Sequence, residues 1–145
     1  MNINDAGLQI IKHYEGFVAR PYLCPAGYLT IGYGHLVRDE DAKKFAKGIS
    51  EDEAEHLLRV DVSVAENAVA RLISQPLTEN QFSALVSFTF NLGSGSLQSS
   101  TLRRKINRCN FDAAASEFER WIFAGGQRLQ GLVLRRETER QLFVA

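Results

Sequence analysis

One apolar stripe limits what this chain can fold into more than any other feature. Ala54, Leu57, Leu58, Ala65, Ala68, Val69 and Leu72 recur at three- and four-residue spacing. That period places side chains on one face of an α-helix. Ser50-Glu51-Asp52-Glu53 opens the run as a capping box: the serine accepts from a backbone N–H while the glutamate reaches back to the N-cap. The spacing predicts one long helix over 51–74. Asp61 falls on its apolar stripe, and a buried charge is costly unless paired.

On either side of this helix the period differs. Asn4–Tyr14 reads as a short amphipathic helix, with Leu8 and Ile11, and Ile10 and Tyr14, at helical spacing, and Gly16 placed to stop it. Phe17–Leu36 is rich in Gly, Pro, Tyr and β-branched residues. Pro25-Ala26-Gly27 reads there as a turn between two short strands, about Ala19–Leu23 and Tyr28–Ile31. Beyond Pro76, Thr78-Glu79-Asn80-Gln81 is a second capping box, opening a helix through Phe82, Leu85, Val86 and Thr89. Further helices are expected near 98–108, 112–123 and 131–143. The fold expected is α+β and mainly helical: one domain over 1–145, with a small N-terminal lobe (1–50) holding a short β-hairpin sheet, the linking helix 51–74, and a C-terminal helical lobe (75–145). A cleft between two such lobes is a natural place for a polymer.

The composition excludes several classes. No apolar run approaches the roughly 20 residues that span a bilayer, so membrane insertion is not expected. The opening residues, with Asp5 and no apolar block after basic ones, do not read as a secretory signal, which predicts a chain held in the cytoplasm until it is released. Basic and acidic side chains balance at 17 each, and Arg103, Arg104, Lys105 and Arg108 form a basic cluster. Such a cluster suits either a solvated helix face or a polyanion. No zinc finger, RNA-binding signature or helix-turn-helix spacing accompanies it, so nucleic acid is not an expected partner. The two cysteines, Cys24 and Cys109, make no disulfide framework and no metal-ligand spacing. No metal and no cofactor is expected.

Glycoside hydrolysis needs a proton donor at the leaving oxygen and a second group that activates water or attacks directly. Glu15 suits the first role, at the end of an amphipathic helix beside Tyr14 and Phe17. By itself a glutamate there is more simply a solvated charge. His35 has no ligand cluster around it and reads as structural. It leaves the hairpin where the long helix should pack, which pairs it with Asp61.

The order of Glu15, Cys24 and Thr30, the last opening Thr30-Ile31-Gly32-Tyr33-Gly34-His35, resembles the phage-type lysozymes, or endolysins, of glycoside hydrolase family 24. Phe88-Thr89-Phe90-Asn91-Leu92-Gly93 and Gly131-Leu132-Val133-Leu134-Arg135-Arg136-Glu137 are similar to two further motifs of that family. The resemblance implies a muramidase that cuts the β-1,4 bond from N-acetylmuramic acid to N-acetylglucosamine in peptidoglycan and so lyses the host cell. It implies Glu15 as general acid, Cys24 in the slot of the second catalytic group, and Thr30 orienting the attacking water. Leu36, Phe90 and Thr101 would contact the glycan. Many family members carry aspartate where Cys24 stands, and this leaves inversion or retention open. The resemblance further implies a monomer without cofactor, whose release to the periplasm and wall uses a separate holin-type pore protein. Two other functions fit parts of the pattern. A lytic transglycosylase would act on the same bond without water, and a wall-binding module would bind peptidoglycan without cutting it.

Overall fold

The computed structural model describes every residue from Met1 to Ala145. Asn4 opens the first helix, α1 (Asp5–Glu15), its Oδ1 accepting from the Gly7 N–H at 3.0 Å. Gly16 ends it at φ +75°, a left-handed conformation open to glycine at no steric cost. Three strands follow, β1 (Val18–Leu23), β2 (Leu29–Gly32) and β3 (His35–Leu36), in one antiparallel sheet of order β1-β2-β3. A 3-10 turn, Asp39–Asp41, leads into the short α2 (Ala42–Phe45). The long helix α3 spans Glu51–Leu72 and its capping box forms, with Ser50 N to Glu53 Oε1 and Glu53 N to Ser50 Oγ both at 3.1 Å. The remainder is α4 (Glu79–Leu92), α5 (Ser94–Ser99), α6 (Thr101–Asn107), α7 (Phe111–Glu117), a 3-10 turn (Phe118–Arg120), the hairpin β4 (Phe123–Ala124) and β5 (Gln127–Arg128), and α8 (Gln130–Val144).

Two compact units result, Ile11–Ser63 and Met1–Ile10 with Val64–Ala145, so their boundaries fall inside α1 and α3. In the Ile11–Ser63 unit the core is Ile11, Ile31, Ala54, Leu58 and Val62, all essentially inaccessible. Gly32 lets β2 lie close against α3: a Cβ there would sit 3.2 Å from Ala54 Cβ and 3.3 Å from Ile49 Cδ1.

The other unit owes its first ten residues to polar anchoring. Ile3 N donates to Glu66 Oε2 at 2.6 Å, and Asn4 N to Ser83 Oγ at 2.9 Å. Its centre is α4, buried continuously from Phe82 to Thr89. The Phe88 ring meets Phe118 and Trp121 edge-on, with centroids 5.6 and 5.5 Å away. Beside it lies a charged cluster shut off from solvent. Glu139 Oε2 accepts from Ser87 Oγ at 2.5 Å and from Arg135 Nε at 3.2 Å, while Glu139 Oε1 lies 2.9 Å from Arg136 Nε. Burial pushes the Glu139 carboxyl above its ordinary range and the two guanidiniums pull against it.

Three details depart from the sequence-based expectation. The helix expected over 98–108 is two helices, because Ser100 takes an extended backbone and caps α6, its Oγ accepting from Arg103 N at 3.0 Å. The helix expected over 112–123 stops at Glu117. The β4–β5 hairpin was not expected at all; its two-residue loop, Gly125-Gly126 at φ +57° and +78°, is the glycine-dependent turn that suits the twist of paired strands.

Candidate active site

The β1–β2 turn builds the first part of the site. Cys24 N donates to Tyr28 O at 2.9 Å and Gly27 N to Cys24 O at 2.8 Å. That closure gathers backbone amides around the sulfur. The Tyr28 N–H holds the half-buried Cys24 thiol below its ordinary value; burial opposes this, and the Ala26 and Gly27 N–H groups and the Thr30 hydroxyl reinforce it. A thiolate is the form that accepts those hydrogen bonds best, and the thiolate is the reactive form of cysteine.

Thr30 follows on β2, almost fully buried, its Oγ1 donating to Tyr28 O at 2.9 Å. The hydroxyl's one proton is thus directed at the Tyr28 carbonyl, beside the Cys24 sulfur. Register places Tyr22 of β1 and Leu36 of β3 directly across from Thr30, one on each side, so all three side chains share one face of the sheet. Tyr22 and Leu36 are exposed and flank the recessed hydroxyl.

Glu15 comes from the last residue of α1. Its Oε1 lies only 3.2 Å from where a Cβ on Gly34 would stand, so the glycine at the β2–β3 turn leaves room for the carboxylate. Lys12, one helical turn earlier, is tied to Glu55 of α3 by an ion pair. His35 Nδ1 lies 2.8 Å from Asp61 Oδ2, joining β3 to α3. The ring also packs against Phe45 at 5.9 Å.

Glu15, Cys24, Thr30, His35, Leu36 and Asp61 thus all belong to the Ile11–Ser63 unit. Phe90, half-buried at the end of α4, and Thr101, the first residue of α6, belong to the other. Thr101 Oγ1 accepts from Arg104 Nη2 at 2.7 Å. The basic cluster is largely spent on its own unit: Arg103 Nε donates to Leu72 O at 2.9 Å, Arg104 Nη1 to Ser99 O at 3.3 Å, and Lys105 Nζ to Glu117 Oε2 at 3.1 Å. No group of three or more Cys, His, Asp or Glu has the placement of a metal site. Sequence reasoning did not single out Tyr22. The signal was present, because counting back from the Pro25-Ala26-Gly27 turn sets its strand partner.

The α+β fold, mainly helical with small antiparallel sheets, is lysozyme-like, and the comparisons with known proteins agree on that fold. The family model described as phage lysozyme matches residues 12–139, and the chain belongs to that family. It is 45% identical over 146 residues to the endolysin of Bacillus phage B103, covering 99% of this chain and 54% of that one. To the endolysin of Acyrthosiphon pisum secondary endosymbiont phage 1 it is 37% identical, covering 99% and 98%. The solved muramidase domain of SpmX from Asticaccaulis excentricus is 35% identical, with TM-score 0.88, over 99% of this chain and 98% of that one. The chain spans about half the length of some of the curated relatives it matches, 54% and 55% for two Bacillus phage endolysins.

Proposed function

We propose that this chain is an endolysin that hydrolyses the β-1,4 bond between N-acetylmuramic acid and N-acetylglucosamine in peptidoglycan and thereby lyses the host cell. The observation that carries the reading is the gathering of Glu15, Cys24 and Thr30 onto one unit, with the sulfur held by backbone N–H groups and by the Thr30 hydroxyl. Glu15 delivers its proton to the glycosidic oxygen as the bond to the anomeric carbon breaks. Water, oriented by Thr30 and deprotonated toward the Cys24 thiolate, attacks that carbon from the opposite side and inverts it. Leu36, Phe90 and Thr101 contact the glycan, and the His35–Asp61 pair holds β3 on α3 so that the strand face keeps its shape. Acting as a monomer, the enzyme reaches the wall through a separate holin-type pore.

The test is purified protein on peptidoglycan, with reducing ends, 1,6-anhydro ends and product anomers counted. Glu15→Gln keeps the size of the side chain and removes the transferable proton, and a fall of about 10²–10⁴-fold is expected. Near-native clearing by that variant ends the assignment. Cys24→Asp, which restores a carboxylate, is expected to keep substantial activity, and Cys24→Ala to be much weaker. Full activity in Cys24→Ala would make the position packing only. A retained anomer would move Cys24 from base to nucleophile, and anhydro ends would identify a transglycosylase.

A further inference from the structure

The basic cluster has a definite geometry in the fold, and the reaction above does not use it. Arg103 and Arg104 lie on α6 and Arg108 is its C-cap, while Arg71 lies in the last turn of α3; all four belong to the helical unit. Arg103 ties the two helices together through its bond from Nε to Leu72 O, which sets Arg71, the neighbour of Leu72, beside the other three. Arg71, Arg104 and Arg108 are exposed and Arg103 is half-buried. The chain as a whole has equal numbers of acidic and basic side chains, so this patch is not the overflow of a basic protein.

The hydrogen bonds of the patch are partly met, and its charges are not. Arg103 also gives Nη1 to Gln98 O at 3.1 Å, and Arg104 gives Nη1 to Ser99 O and Nη2 to Thr101 Oγ1. Every one of these acceptors is neutral. A guanidinium has five N–H donors; each of these two uses two and keeps three. The side chains of Arg71 and Arg108 form no hydrogen bond or ion pair with the chain. In the cluster only Lys105 meets a carboxylate, Glu117 Oε2. One cation in the last turn of a helix answers the helix dipole. Four guanidiniums in one patch exceed that, because like charges without a counter-ion repel.

What the patch lacks narrows its partner. No residue from Ser100 to Arg108 is aromatic, so the bases of a nucleic acid find no stacking platform. The apolar residues of α6, Leu102 and Ile106, are fully buried, so nothing is offered to the interior of a lipid bilayer. A bare face of guanidiniums suits phosphates strung along a flexible chain. Each planar fork can take two oxygens of one phosphate, and residues four apart on a helix, as Arg104 and Arg108 are, stand about 5–6 Å apart at Cβ.

We propose that Arg71, Arg103, Arg104 and Arg108 hold a linear phosphodiester polymer of the bacterial wall, polyol units joined through phosphate. The inference deepens the proposed function and rests on it, because that reading brings the chain to the wall. Holding the polymer would keep the enzyme on the wall between cuts without touching the glycan site.

The experiment uses the full chain carrying Glu15→Gln, so that nothing is cut. The probe is polyglycerol phosphate, with phosphatidylglycerol vesicles and single-stranded poly(dT) beside it. Polyglycerol phosphate is expected to bind. Arg71→Gln together with Arg108→Gln should weaken it roughly tenfold or more, and Arg71→Lys together with Arg108→Lys should keep most of the affinity. Thermal melts check that the fold is kept. On single phosphodiester strands the logarithm of affinity falls with the logarithm of salt by about 0.7 per phosphate contact. Four contacts give a slope of about −3, and the glutamine pair should reduce it to about −1.4. No binding of polyglycerol phosphate, an affinity and slope unmoved by the glutamine pair, or tighter binding to the vesicles or to poly(dT) overturns the proposal. Cleavage is read separately, with Glu15 intact, on walls stripped of phosphodiester polymers by acid. There the glutamine pair should cut at the wild-type rate, and a loss would place the two arginines in the glycan site and overturn the proposal as well. If the wild type fails to cut stripped walls, the hydrolase reading fails, while the binding readout, made without turnover, stays intact.

Discussion

The Ile11–Ser63 unit and the helical unit each hold a cluster of polar groups, and they hold them in opposite ways. Around Cys24 and Thr30 the partners are main-chain amides and a carbonyl on a short hairpin, with exposed Leu23, Tyr28 and Leu36 alongside. No cation is among the groups that lower the Cys24 thiol; the N–H groups of the turn and the Thr30 hydroxyl do so, against burial. Around Glu139 the partners are full charges, Arg135 and Arg136, with side-chain exposures of 4% and 0% against 0% for the glutamate itself. The first arrangement holds a half-buried thiol and a recessed hydroxyl by main-chain groups, with exposed side chains around them. The second fixes its groups in place, because a buried charge that loses its counterpart has nowhere to go. On the reading proposed above, the reactive site is marked by groups held by backbone and not by proximity of charges.

The largest effect that would test this contrast is Glu139→Ala. It strands two buried guanidiniums, and breaking a buried pair from one side costs about 3–5 kcal/mol, a large part of the roughly 5–15 kcal/mol that holds a domain together. Chemical denaturation should show a midpoint far below wild type, while Glu15→Gln should leave the midpoint close to native and remove activity. If Glu15→Gln destabilised the fold more than Glu139→Ala, the division between a reactive and a structural cluster would be wrong.

Gly34→Ala comes next in size. At φ +78° an alanine is strained, by about 1 kcal/mol, and its Cβ would press on Glu15 Oε1. A displacement of about 1 Å in a reacting group can cost on the order of 10²-fold in rate. The expected outcome is a small fall in melting temperature and a disproportionate fall in kcat. Equal losses in both would mean that Gly34 serves the turn and not the carboxylate.

How legible these regions were follows from the kind of signal each carries. Helical stripes and capping boxes are local, so α3 and α4 could be read from the chain with their N-termini in place. The pairing of β1 with β2 was announced by Pro25-Ala26-Gly27, because turn chemistry and register are linked. The break between α5 and α6 was hidden, since Ser100 reads as an ordinary helix residue until its side chain is seen to cap the next helix. The β4–β5 hairpin was hidden for another reason: its strands are two residues each, too short for any alternation to appear. The amide cradle around Cys24 was out of reach as well, because main-chain donors have no residue type to betray them.

The smallest effects sharpen the contrast through acid titration. Glu55 and Glu117 both lie below the ordinary carboxylate range. For Glu55 the hydrogen bond from Lys12 is the main cause; for Glu117 burial pushes the other way and is outweighed by Lys105 and Arg120. A carboxylate with a depressed folded value adds stability that is complete above its unfolded value, near 4.3, and is lost as pH falls through the folded one. Neither glutamate should therefore shape the stability curve near neutrality, and both should steepen its acid limb. Glu55 is 34% exposed and Glu117 only 4%, so screening holds the first pair to no more than about 1 kcal/mol, the scale of exposed pairs, and leaves the second stronger. Glu117→Gln should flatten the acid limb below about pH 4.3 more than Glu55→Gln does, with the two curves converging as both carboxyls become protonated. Denaturant midpoints measured from pH 2 to pH 7 decide it. A larger flattening from Glu55→Gln would show that Lys12, on the helix that carries Glu15, is held more firmly than its exposure implies, and the reactive unit would then share the charge-locked character of the helical one.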